Sequence, residues 1–142
     1  MKKSVLRAHL AAWLLLPPAA ALNGTLRDFT YGTAMPTNIA HSISVVPLVA
    51  IIGAWAAFLA RRRPLPDRRS ATLVGVAWLV ATVAFETGLD ALRGVPIDRL
   101  VAEYDVTRGN LWPLVPLATL FAPIVLQRLI TPSRCVVVEG AG

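Results

Sequence analysis

Four stretches of the chain approach the roughly 20 consecutive apolar residues that a bilayer-spanning helix requires. They run over about 5–26, 39–60, 71–92 and 111–130, and polar segments of differing character separate them. This pattern predicts an all-α, integral membrane four-helix bundle forming a single domain over 1–142. The connection between the third and fourth spans has a period of its own. Ile97, Leu100, Val101 and Tyr104 recur at i, i+3, i+4 and i+7, while Asp98, Arg99 and Glu103 fall elsewhere around the wheel, and Pro96 suits a first helical turn. That spacing predicts a short amphipathic helix over about 96–105, lying in the membrane interface. Gly109 should end it, and Trp112 falls where aromatic belts form.

The first stretch has two readings. MKKSVLRAHLAAWLLLPPAAA begins basic, continues apolar and passes into small residues, as a cleavable signal peptide does. The apolar run nevertheless continues past Pro17 and Pro18 to Leu26, with Asn23 and Arg27 one turn apart on a common face, which favours a retained helix. Two adjacent prolines remove backbone donors and should kink that helix, a break that neighbouring helices can accommodate.

Composition agrees with lipid as the solvent: 56% of the 142 residues are hydrophobic and 15% are charged. The net charge of +6 does not point to nucleic acid, because the basic residues cluster between apolar segments and form no stripe interleaved with aromatics. Those clusters set an orientation. With the N-terminus inside, ten Lys and Arg fall on the cytoplasmic side (the N-terminus, the RRRPLPDRRS connection, Arg128 and Arg134), against four outside (Arg27, Arg93, Arg99 and Arg108). The expectation is a multi-pass protein of a bacterial inner membrane with both termini cytoplasmic. Cys135 is the single cysteine, so no internal disulfide and no thiol-based metal or redox motif can be built.

The candidate chemistry lies at one end of this arrangement. Glu86 follows the uncharged run from Ala71 to Phe85, about six residues or ~9 Å before the expected helix end at Leu92. A carboxylate at that depth is costly unless paired, hydrated or protonated. Asp90, one turn on, repels it and has Arg93 three residues further along, whereas Glu86 lacks a local cation. Arg27 is the expected partner, with His41 second, because the topology brings both to the same leaflet. The predicted polar cluster therefore comprises Asn23, Arg27, His41, Ser44, Glu86 and Asp90, with Tyr104, Asp105 and Asn110 contributed by the outer connection. No HExxH or HxxxH spacing supports a metal site, and no cofactor is indicated.

The order N-G-x-x-R (Asn23, Gly24, Arg27), A-H-x-x-S (Ala40, His41, Ser44), F-E (Phe85, Glu86) and Y-D-x-x-x-G-x-L-W (Tyr104, Asp105, Gly109, Leu111, Trp112) resembles a family of small bacterial four-span inner-membrane proteins of uncharacterised activity. The resemblance covers roughly 10–130 and implies the same topology and polar cluster, with no reaction attached. This chain departs from it at Asn110, where the family commonly has arginine.

Three function classes follow. In the first, the cluster binds or conducts a small polar ligand, an ion or a proton, since ionisable residues inside a span are functional candidates by default. In the second, the same residues fix helix packing in a structural or accessory membrane subunit. The third, a membrane enzyme, would use Glu86 and His41 as an acid/base pair, but it is weakened because GxSxG, HExxH and similar signatures are missing and no residue is assigned as catalytic. The partners expected are the lipid bilayer, with a second membrane protein or another copy of the chain left open, and no nucleic acid.

Overall fold

A computed structural model describes residues 2–130; Arg134 and Cys135 lie outside the described residues. The described chain is helical: α1 (Lys2–Ala12), a 3-10 turn (Trp13–Leu15), α2 (Leu16–Phe29), α3 (Thr37–Arg62), α4 (Arg68–Leu92), α5 (Ile97–Glu103), a second 3-10 turn (Val106–Arg108) and α6 (Leu114–Ile130). Taken through its 3-10 turn, Lys3–Phe29 is long and apolar enough to cross a membrane, as are Thr37–Arg62 and Arg68–Leu92. That makes three helices compatible with a membrane protein. The fourth predicted span is shorter than expected: α6 has 17 residues and starts at Leu114, because 111–113 form the turn that leads into it. The predicted helix over 96–105 is present as the seven-residue α5.

α6 packs along both α3 and α4, α2 packs on α3, and α1 packs on α4. The core is a seam at helical spacing: Val45, Leu48, Ile52, Ala56 and Leu59 on α3 meet Ala71, Val74 and Trp78 on α4 and Val115 on α6. Gly75 allows the closest approach, since a methyl group added there would collide with the Leu120 carbonyl of α6. At the other end of this seam, Asp67 caps α4 by accepting the Ser70 N–H at 2.7 Å, and Leu65 is buried in the proline-broken turn between α3 and α4.

The proline pair breaks the first helix locally. Pro17 and Pro18 cannot donate, so the Trp13 carbonyl takes the Leu16 N–H in a 3-10 turn. That shift frees the Ala12 carbonyl of its usual donor. The Trp55 indole N–H from α3 supplies one at 3.1 Å, and the Trp78 indole of α4 donates to the His9 carbonyl at 2.9 Å. The Trp13 indole returns the connection by donating to the Thr82 hydroxyl at 3.0 Å. Backbone irregularity inside an apolar bundle is thus satisfied by side chains from neighbouring helices.

Candidate functional site

Followed along α4, the inward seam changes character. Ala71, Val74, Gly75 and Trp78 are fully buried, whereas the next inward positions, Thr82, Glu86 and Asp90, are only half-buried. On α3 the seam begins with His41 and the buried Ser44 before it becomes apolar at Val45 and Leu48. Polar residues at one end of several seams cannot close against each other as aliphatic ones do, and the bundle opens there into a cavity of about 360 Å³.

Each wall has a distinct source. α2 contributes Asn23, Arg27 and Asp28, and α3 contributes His41 and Ser44. α4 adds Phe85, Glu86 and Asp90, Arg93 follows as its C-cap, and Glu103 of α5 and Trp112 of the turn before α6 close the rim. The wall is held in place by hydrogen bonds across elements. Asn23 donates through its side-chain amide to the Ser44 carbonyl at 2.8 Å, and the Ser42 hydroxyl donates to the Gly109 carbonyl at 3.0 Å. The His41 ring lies against Trp112 with centroids 5.5 Å apart. Gly109 adopts φ +80°, a left-handed conformation open to glycine, and ends the second 3-10 turn; α5 itself ends earlier, at Glu103, and not at Gly109 as the sequence predicts.

Of the nine predicted site residues, Asn23, Arg27, His41, Ser44, Glu86 and Asp90 line this cavity. Asn110 sits in an adjoining small pocket with His41, Glu103 and Trp112, and its amide donates to the Ala102 carbonyl at 2.8 Å, tying α5 to the following turn. Asp105 serves a local purpose: it accepts from the Thr107 N–H at 3.0 Å and pairs with Arg108 at 3.2 Å. Tyr104 is near Trp112 and the cavity carboxylates; burial pushes its hydroxyl pKa upward, with the Trp112 indole acting in the opposite sense.

The expected Arg27–Glu86 ion pair is not formed. The Arg27 guanidinium instead takes the adjacent Asp28 carboxylate at 2.8 Å, because a neighbour in sequence is reached at little cost in side-chain order. Arg93 pairs with Asp90 at 3.9 Å, the spacing of three residues anticipated from the sequence. Glu86 belongs to none of the ion pairs among the described residues. The charges that act on it are Asp90, Glu103 and Arg93. The cavity is therefore lined by four carboxylates, Asp28, Glu86, Asp90 and Glu103, and by two guanidinium groups. Burial, and then the neighbouring Asp90, raise the pKa of Glu103 above the ordinary glutamate value.

Asp28, Arg93 and Glu103 are the charged residues that join the cavity beyond the predicted set. Asp28 could have been found from its place beside Arg27 at the predicted outer end, whereas Glu103 depends on how α5 folds back over the bundle, which its spacing alone does not encode. Among the described residues no three His, Cys, Asp or Glu side chains are grouped so as to hold a metal ion. A narrower void of about 20 Å³ continues past Glu86, lined mainly by apolar side chains such as Leu16, Leu48, Ile52 and Val115, with Thr82 and Thr119 among them, and has room for about one water. Ile52 closes that void, and beyond it Val74 and Trp78 are likewise buried to within 1% exposure. The cavity is a cup with a closed floor.

No protein-family model, curated protein or solved structure matches this chain.

Proposed function

We propose that this chain is a four-span inner-membrane protein, both termini cytoplasmic, that binds a small polar solute or ion in a hydrated cup opening to the outer face. The observation that carries this reading is the junction within the helix seams, where a dry apolar core gives way to a cavity ringed by ionisable groups. Ionisable residues at membrane depth are retained where they face a hydrated space or a ligand. The closed floor at Ile52, Val74 and Trp78 favours binding over conduction. α6, at 17 residues, is about 26 Å long, a mismatch that its preceding turn and slight local bilayer thinning absorb. α5 then lies in the interface, its Ile97 and Val101 turned outward at 78% and 66% exposure.

The second reading, a packing role in an accessory subunit, draws on the Asn23 to Ser44 hydrogen bond between helices. The two separate on one experiment. With Cys135 replaced by serine, His41→Cys and Glu86→Cys should react with a membrane-impermeant thiol reagent added from the outer side, while Ala56→Cys in the buried seam should not. Labelling from the cytoplasmic side alone, or none at 41 and 86, overturns the cup. A packing role predicts that Glu86→Gln lowers the amount of folded protein; the binding role predicts that it does not.

A further inference from the structure

The charges around the cup do not match one another. Arg27 is engaged by Asp28 and Arg93 by Asp90, so both lining guanidinium groups have carboxylate partners. Two carboxylates, Glu86 and Glu103, have no ion-pair partner among the described residues, and Glu86 lies deepest along α4. The wall beside them supplies aromatic surface from Phe85 and Trp112. A half-buried carboxylate in a space of about 360 Å³ lacks a counter-charge that brings its own hydrogen-bond donors.

A divalent metal fits this poorly, since no three ligating side chains are grouped to replace its water among the described residues. A phosphate or carboxylate fits no better, because four carboxylates line the cavity against two guanidinium groups, each of which already has a carboxylate neighbour. An organic cation meets both conditions: its N–H groups satisfy the carboxylate, and its alkyl part and charge rest against aromatic faces. The volume lies at the lower end for small-molecule sites, which run from roughly 300 to 1,000 Å³.

We infer that the cup binds a small primary ammonium group, with the Glu86 carboxylate accepting its N–H donors, Glu103 above it, and Phe85 and Trp112 flanking the cation. The assignment rests on the hydrated-cup reading and narrows its ligand. Two sources share this chemistry, a free alkylamine in the periplasm and the ethanolamine headgroup of an outer-leaflet lipid.

The test uses the full chain in nanodiscs of phosphatidylglycerol, which contain no amine. Calorimetric titration with ethylammonium should show saturable binding, while 1-propanol, a neutral molecule of similar size, should give none. Glu86→Gln should weaken ethylammonium binding on the order of tenfold or more, and Trp112→Leu by about threefold. Including phosphatidylethanolamine identifies the source: competition with ethylammonium supports the headgroup, and unchanged binding supports the free amine. Absence of binding to the wild-type protein, equal binding of 1-propanol, or unaltered affinity in a folded Glu86→Gln protein overturns the assignment. If Glu86→Gln does not fold, the comparison of ethylammonium with 1-propanol and the Trp112→Leu variant still decides it. Thiol labelling at 41 and 86 without amine binding would remove the ligand and leave the cup standing; loss of labelling would remove the cup itself.

Discussion

The Asn23 side-chain amide reaches the backbone carbonyl of Ser44 at 2.8 Å, joining α2 to α3 at the level of the cavity. It is a neutral hydrogen bond between helices, placed one turn from Arg27. Asn23→Leu should lower stability in detergent by about 0.6–1.5 kcal/mol, the range for such bonds in bundles. Thermal unfolding followed by circular dichroism measures it, and an unchanged midpoint would show that the bond contributes nothing.

Gly75 and Gly53 give a matched pair of predictions. A methyl group at Gly75 meets the Leu120 carbonyl, so Gly75→Ala should force α4 and α6 apart at about 1–3 kcal/mol. Nothing lies near a methyl group added to Gly53, so Gly53→Ala should be neutral or gain up to about 1 kcal/mol from helix propensity. The same unfolding measurement on both variants checks the contrast in sign.

The two indoles that serve the first helix should differ in cost. Trp78, 1% exposed, donates to the His9 carbonyl, and Trp78→Phe removes that bond between helices and leaves the buried site less well packed, at about 1–3 kcal/mol together. Trp55 is half-buried, so Trp55→Phe, which frees the Ala12 carbonyl, should cost less. Reversal of that order in denaturation midpoints would contradict the account of the proline break.

Two carboxylates outside the spans predict opposite pH dependence. Burial and then Asp90 raise the pKa of Glu103 above its ordinary 4.5, so the folded state holds this proton more tightly than the unfolded chain. Its contribution is most favourable below that value and is lost as pH rises through the folded pKa. Glu103→Gln should therefore stabilise the protein relative to wild type near neutral pH, with the difference shrinking on acidification. Asp105 is lowered from 3.8, chiefly by the Thr107 hydroxyl, so its contribution is present above that value and lost as pH falls through the folded pKa. Asp105→Asn should be destabilising near neutral pH and converge with wild type in acid. Melting curves across the pH range test both signs.

The helices were legible in the sequence because apolar runs and their breakers are local properties. Pro17 and Pro18 announce the interruption at Trp13–Leu15, and the i, i+3, i+4, i+7 spacing from Ile97 announces α5. The gathering of Arg27, His41 and Glu86 at one cavity also follows from helix order: Arg27 lies near the end of α2, His41 near the start of α3 and Glu86 in the last turns of α4. The ion pairing does not. Arg27 has a carboxylate beside it in sequence as well as one across the cavity, and the choice of Asp28 depends on rotamer and distance, which spacing leaves open. The start of α6 was misplaced by three residues for a related reason: Leu111 and Trp112 are apolar but belong to a turn whose geometry is set by Gly109 and Pro113.

The cup draws on α2, α3, α4 and α5 and on Trp112, stretches widely separated along the chain. During synthesis the ribosome completes Glu86 and Asp90 before Trp112 is made. A nascent chain stalled at that stage would carry both carboxylates without their final enclosure, so the cup is complete only once the last helix has been made.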